Sequence, residues 1–320
     1  MRVQRGFSLK ITRGVTALRP RRAGSGKAVV TIGAFDGIHL GHRRILDEVV
    51  LLARGIGARA VAVTFDPHPA LILTPRETPQ MLATLGERLA LMAEAGLDEV
   101  VVLKFTEGLA RERARDFTKR VLVGALGMAR LVIGYDFRFG KAREGDARHL
   151  EALGEEMGFG VDIVPPVRWA GHPISSTRVR TALARGDVKA AARMLGRPYS
   201  FVGTVVRGEG RGRRLAYPTA NLAVTDATRM VPAAGIYATR VKAGRKAYAG
   251  ALYIGTKPTY GGKAMGIEVY LVGARSNLYG RKLDVEFVDK LRGERRFRSE
   301  EALKRAIASD VSRLRRVVTN

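Results

Sequence analysis

The chain has 320 residues, a formal net charge of +26 and no cysteine. That length accommodates two domains with their own cores. The missing Cys excludes disulfides and Cys-based zinc sites, and with no eighteen-residue apolar run a membrane-spanning helix is not expected. Any metal must be held through oxygen or imidazole, magnesium brought in with a nucleotide fits best, and a reducing cytoplasm is the expected location.

The first 27 residues hold six Arg, two Lys and no acid, supplying +8 of the total. An organelle transit peptide has this composition too, but the segment runs straight into an apolar run, so a short basic extension is expected instead. The remaining +18 is spread along the chain, as at Arg111, Arg113, Arg115, Arg292, Arg295 and Arg296, which are expected on solvated helix or loop faces. Such a field admits a nucleic-acid-binding protein as a rival of a different class. It equally suits an enzyme whose ligands are anions. One Trp and no helix-turn-helix, RRM or zinc-finger signature set dedicated nucleic-acid binding second.

The first apolar run, 28–34, reads as a buried strand, and Gly33-Ala34-Phe35-Asp36-Gly37-Ile38-His39-Leu40-Gly41-His42 follows it. Behind that stretch lies an amphipathic helix over 42–54. Strand, glycine-bearing loop, two histidines three apart and a helix start describe a phosphate site: glycine lets the backbone approach an anion, and helix-terminal N–H groups point at it. Further runs at 59–65, 99–105, 130–134 and 160–164 alternate with helical stretches at 84–95, 108–123 and 146–157. That alternation predicts a Rossmann-like α/β domain with a parallel sheet covered on both faces and ligands at the carboxyl ends of its strands. Thr64-Phe65-Asp66-Pro67-His68-Pro69 and Gly134-Tyr135-Asp136-Phe137-Arg138-Phe139-Gly140-Lys141 fall at two such ends. Phe139 is expected in the core, and His149 and His172 on the surface.

Two short helices are predicted over Ser176 to Ala184 and Val188 to Leu195, the second capped by Asp187. Gly196-Arg197-Pro198 breaks the pattern, so the domains are placed at 1–196 and 197–320. Beyond it come β runs at 200–207, 235–242, 247–254, 266–272 and 282–288 with Gly-rich turns, the pattern of a small closed antiparallel barrel. A helix over 299–317 is expected to cover one side of it.

These motifs together resemble the bacterial bifunctional riboflavin kinase/FAD synthetase family, from about residue 28 to the C-terminus. The form GxFDGxHxGH is a narrow version of the HxGH motif of nucleotidyltransferases. The resemblance implies two MgATP-dependent steps, riboflavin to FMN and then FMN to FAD with release of pyrophosphate. In the amino-terminal half it implies that His39 and His42 act on the triphosphate, with Gly33, Phe35, Asp36 and Gly41 as ATP- and phosphate-binding positions and Gly33, Phe35 and Gly41 shaping the loop. Ser175, Ser176, Thr177 and Arg178 would take the other phosphates. Phe65, Asp66, Pro67, His68, Asp136, Phe137 and Arg138 would flank flavin and adenine. In the second half it implies that Gly208, Gly210, Gly212 and Pro218 line ATP, that Thr219 and Asn221 (in Pro-Thr-Ala-Asn) hold its magnesium, and that Glu268 is the base. Three positions depart from the family pattern: Ala216 for a usual Gly, Tyr253 for a small residue or Asn, and a non-acidic 273–277 loop. The nearest alternative therefore keeps only the FMN adenylyltransferase half fully active. Oligomerisation is left open.

Overall fold

The computed structural model describes residues 9–14, 26–208, 217–259, 262–274, 277–295 and 297–318, without the side chains of 256–259 and 262–265. The chain divides into two compact units, Met1–Ser175 and Ser176–Asn320. The first is built on a six-stranded sheet: β1 (Lys10–Arg13), β2 (Ala28–Ile32), β3 (Arg59–Asp66), β4 (Glu99–Lys104), β5 (Met128–Gly134) and β6 (Gly160–Val164). All neighbours pair in parallel, in the order β1-β4-β3-β2-β5-β6. β2 and the middle of β3 are buried on both faces, which is why they read as continuous apolar runs.

Helices α1 (Leu40–Gly55), α2 (Pro69–Leu73), α3 (Leu85–Glu94), α4 (Glu107–Arg111), α5 (Ala114–Phe117) and α6 (Ala147–Met157) connect the strands. One core cluster joins Val30, Val63 and Leu131 to Leu122 and Leu150; another joins Val29, Ala62 and Val132 to Leu46 and Met92, so apolar side chains pack on both faces of the sheet. The single helix expected over 108–123 is instead broken. Glu112 is extended (ψ 135°), and α5 runs into a π-helical stretch, Thr118–Ala125. β1 was not expected either. It lies in the basic segment and pairs at the edge because Glu99 gathers it: the Thr12 hydroxyl donates to Glu99 at 2.7 Å and Lys10 pairs at 3.0 Å, while Arg59 approaches from β3 at 2.5 Å. Burial would raise the Glu99 carboxyl, but these partners outweigh it and hold Glu99 low. A two-residue hairpin, β7 (Arg168–Trp169) and β8 (His172–Pro173), precedes the end of the unit.

The second unit opens with α7 (Ser176–Ala184) and α8 (Val188–Leu195), followed by a closed barrel of β9 (Ser200–Val206), β10 (Thr219–Ala223), β11 (Gly235–Ala243), β12 (Lys246–Thr259), β13 (Gly262–Leu271) and β14 (Lys282–Arg292). Phe201, Tyr237, Leu252, Val269 and Phe287 are among its buried residues. The last helix, α9 (Glu300–Val318), lies across β11, β12 and β14. Arg292 is thus no solvated charge, unlike exposed Arg111: its guanidinium makes a bidentate contact with buried Asp310 of α9, at 2.9 to 3.1 Å.

The compact division lies ahead of the break in pattern at Gly196-Arg197-Pro198 because α7 and α8 pack with the barrel. The Leu183 carbonyl accepts the Ala233 N–H at 3.0 Å, and Lys189 reaches Asp289 at 2.7 Å. Asp187 caps α8 by accepting the Ala190 N–H at 2.9 Å. Val188, Ala191, Met194 and Leu195 are all buried. A fragment beginning at Ser176 should therefore melt cooperatively and well above one beginning at Arg197. Burying each large apolar side chain contributes about 1.5–3 kcal/mol. Equal melting temperatures by circular dichroism would show that α8 adds nothing to the barrel.

Candidate functional site

β2 is the centre of the parallel sheet, with β3 on one side and β5 on the other. Chain direction therefore brings the loops after β2, β3 and β5 to one edge, which is where three of the sequence motifs lie. In the first of these loops the Gly33 N–H still donates to the Val63 carbonyl at 3.0 Å. Phe35 and Ile38 then take positive φ (51° and 37°), a costly conformation for such residues that their burial enforces. Asp36 is buried, and its carboxylate accepts the N–H groups of Leu82 and Ala83 at 2.9 to 3.1 Å, which anchors the turn.

His39 caps α1, its Nδ1 accepting the His42 N–H at 3.2 Å. When neutral, its proton is therefore on Nε2. The two imidazoles stack with centroids 3.7 Å apart, and Phe35 meets His42 edge-on at 5.3 Å. A Cβ on Gly41 would lie 3.1 Å from the His39 ring, so this glycine leaves the ring its place. Burial, and secondarily the neighbouring His39, hold His42 well below the ordinary histidine value, and its buried Nδ1 has no hydrogen-bond partner. Two stacked imidazoles at a helix N-terminus, one of them with such an atom, are suited to receiving phosphate oxygens.

Phe65 packs edge-on against Phe105, and Phe137 lies tilted by 30° against Phe139; Phe65, Phe137 and Phe139 all border the core. Asp136 and Arg138 are exposed on either side of Phe137. Asp66 and Pro67 are joined by a cis peptide bond, and His68 caps α2, its Nδ1 accepting the Ala70 N–H at 3.1 Å. The Ile174 carbonyl, next to Ser175, approaches the same Gly41 position within 3.8 Å. Ser176, Thr177 and Arg178 form the first turn of α7 in the second unit. His172 is exposed as expected. His149 is not an ordinary surface residue: it is half-buried, with its Nε2 buried and unpartnered.

Arg88 was not singled out in the sequence. It is buried on α3 and donates to the Ala34 carbonyl (2.8 Å), the Thr64 hydroxyl (2.9 Å) and the Phe65 carbonyl (3.1 Å). It thereby ties the loop after β2 to the end of β3. Burial lowers its pKa, while Asp36 and Asp66 oppose that shift. Only its place in an apparent amphipathic helix was legible.

In the second unit, Pro218 leads into β10, whose Thr219 and Asn221 lie half-buried on the outer face of the barrel. Asn221 is in register with Glu268 of β13, and Thr219 Oγ1 donates to Glu268 Oε2 at 2.8 Å. Glu268 is indeed an outward-facing strand residue, yet it stands beside a hydroxyl and an amide rather than in open solvent. A Cβ on Gly208 would fall 2.1 Å from Asn221 Nδ2, so only glycine allows this approach. Gly210, Gly212 and Ala216 lie outside the described residues, as do Arg275 and Ser276 of the altered loop and Arg296.

Two family models match the chain: FAD synthetase over residues 22–178 and riboflavin kinase over residues 195–318. A Pseudomonas fluorescens bifunctional riboflavin kinase/FMN adenylyltransferase is 39% identical, the match covering 96% of this chain and 97% of that protein. The protein of the same description from Escherichia coli K12 is 37% identical, over 94% and 96%. Among solved structures, a Streptococcus pneumoniae chain described as a macrolide-efflux protein superposes with TM-score 0.86 at 29% identity, over 96% of this chain and 98% of that one. No described helix of the present chain is long and apolar enough to cross a membrane.

The depressed His42 pKa has a signed consequence. Unfolding returns the group to about its ordinary value of 6.5, so below that pH the unfolded chain binds more protons than the folded one. The contribution of neutral His42 is full above pH 6.5 and is lost as pH falls toward the lowered folded value. Stability should therefore drop on acidification from about pH 7 to about pH 5, and His42→Gln should flatten that slope by up to about 1.4 kcal/mol per pH unit. Identical slopes for the two proteins in denaturant titrations would contradict a neutral buried His42.

Proposed function

Because the chain belongs to the bifunctional riboflavin kinase/FMN adenylyltransferase family, we propose that its two sites perform successive steps, one in each domain. The enzyme phosphorylates riboflavin to FMN and adenylylates FMN to FAD. Residues 1–196 are assigned to the adenylyltransferase and 197–320 to the kinase, with α7 and α8 packed on the barrel while preceding its domain in function. The observation that carries this reading is two unrelated polar sets: stacked histidines on a helix N-terminus, and a Thr219-Glu268-Asn221 group on a barrel face.

In the adenylyl step an FMN phosphate oxygen attacks the α-phosphorus of ATP and pyrophosphate leaves. That oxygen is already anionic, so neither a base nor a covalent nucleophile is required. The work is positioning and charge stabilisation. His39 and His42 hold the triphosphate at the α-phosphate, and the loop of Gly33, Phe35, Asp36 and Gly41 fixes their geometry. Ser175, Ser176, Thr177 and Arg178 bind the outer phosphates. Phe65, Asp66, Pro67, His68, Asp136, Phe137 and Arg138 form the walls for flavin and adenine, with Asp36 and His68 acting through the backbone they anchor.

In the kinase step a riboflavin hydroxyl must lose its proton as it attacks the γ-phosphorus, and Glu268 accepts it. The Thr219 hydroxyl, Asn221 amide and Glu268 carboxylate present oxygen atoms, the donor type that suits magnesium, so Thr219 and Asn221 fit as holders of ATP-bound Mg²⁺. The ion, when bound, offsets charge on the transferring phosphate. Gly208, Gly210, Gly212 and Pro218 accommodate the nucleotide. The ligands are thus riboflavin, FMN and ATP, with FAD as product, and a cytoplasmic location follows from their use.

Purified protein given riboflavin, ATP and Mg²⁺ should yield both FMN and FAD on separation of the flavins. FAD formed only from supplied FMN would leave the adenylyltransferase alone active. Neither product, with salt-sensitive nucleic-acid binding, would overturn the enzymatic reading. His39→Ala and His42→Ala should each lower FAD formation by about 10²–10³ and spare FMN formation; equal loss of both would place the histidines outside this role. Glu268→Gln, near-isosteric but a poorer proton acceptor, should lower kinase kcat by roughly 10²–10⁴ with FAD synthesis from FMN unchanged. A wild-type rate removes Glu268 from the chemistry.

A further inference from the structure

Tyr253, one of the departures from the family pattern, occupies a marked position. On β12 it is directly in register with Glu268 on β13, so the two side chains project from the same face of the barrel. Glu268 is therefore flanked by Asn221 on one neighbouring strand and Tyr253 on the other. The Tyr253 hydroxyl donates to the Glu294 carboxylate, two residues beyond the end of β14. A Cβ at Gly255 would lie 2.0 Å from that hydroxyl and 2.7 Å from the Glu294 carboxylate, so residue 255 must be glycine for the pair to form. Burial, then the two nearby carboxylates, push the Tyr253 phenol up to about 12, which keeps it a donor at neutral pH. A bulky ring, a missing Cβ and an acceptor from a different strand fit one another here.

We propose that Tyr253, latched to Glu294 through its hydroxyl, is a positioning residue for the kinase step: its ring walls Glu268 on the side opposite Asn221 and limits the rotamers of the base. Resting on the assignment of Glu268 as base, this explains how a residue large for its position is compatible with phosphorylation. The departure becomes a device. Thr219 fixes one carboxylate oxygen by donating to it, and the latched ring restricts the swing of the whole side chain. A carboxylate held this way loses less rotational freedom on reaching the transition state.

The test compares Tyr253→Phe, Glu294→Gln, Glu294→Leu and Glu268→Gln in the full-length enzyme, with steady-state riboflavin phosphorylation, FAD synthesis from supplied FMN, and melting temperature measured for each. Tyr253→Phe keeps the ring and removes the latch. It should lower kinase kcat by about tenfold to 10²-fold, the effect of a small misplacement, with KM for riboflavin and MgATP unchanged. Glu294→Leu should match it, whereas Glu294→Gln, which retains an acceptor oxygen, should recover most of the rate. FAD synthesis and melting temperature should stay near wild type. A wild-type kcat for Tyr253→Phe beside an impaired Glu268→Gln would overturn the proposal and leave the base assignment standing. A raised KM with unchanged kcat would also overturn it, placing Tyr253 on the substrate. A wild-type rate for Glu268→Gln would remove both.

Discussion

Candidate site side chains in both units depend on the absence of a Cβ atom. The His39 ring lies close over Gly41, the Asn221 amide occupies the volume a Cβ on Gly208 would take, and Tyr253 meets Glu294 over Gly255. Phosphate is bound most tightly where backbone and short polar groups come close together, and a methyl group at any of these three places would push the polar atom away. Glycine content at the sites is thus a packing requirement first, and a matter of backbone freedom second.

Charge is arranged differently in the two sites. Under the sheet-edge loop, Arg88 is a fixed buried cation whose donors are committed to Ala34, Thr64 and Phe65, while Asp36 is committed to Leu82 and Ala83. Directly after that loop burial, and then the neighbouring His39, hold His42 well below the ordinary histidine value. On the barrel the carboxylate of Glu268 is half-buried and accepts a hydrogen bond from Thr219 on the neighbouring strand. Several surface Arg are locally paired, as in Arg54–Asp98, Arg115–Glu156 and Arg130–Asp162, although the net charge stays +26. Exposed pairs of this kind add little stability, but they limit the reach of the positive field.

The strands buried on both faces were legible because they are continuous apolar runs, and the cap of α8 because Asp187 has a local role. β1 and β10 were not expected as strands. Lys10-Ile11-Thr12-Arg13 and Thr219-Ala220-Asn221-Leu222-Ala223 lack such a run, and each is held by side-chain bonds to a distant strand, to Glu99 and to Glu268. The break at Glu112 and the π-helical turn that follows conceal themselves in an ordinary helical pattern. Of the candidate sites, the closeness of His39 to His42 followed from spacing, and Thr219 and Asn221 were singled out by resemblance. Arg88 and the Tyr253–Glu294 contact were not, since each joins residues brought together only by the folded sheet or barrel.

The contact of Arg292 with Asp310 has a consequence for the far end of the chain. Arg292 ends β14, and Glu294 follows it by two residues, so the tether of α9 and the latch on Tyr253 are consecutive links. Leu314, fully buried from the same helix, adds to the first link. Fraying of the C-terminus, whether by proteolysis or by an added tag that strains α9, would loosen residues 293–295 before it reached any barrel strand. The anchor of the carboxyl-terminal helix and the support beside Glu268 thus share one short stretch of chain, residues 292 to 294.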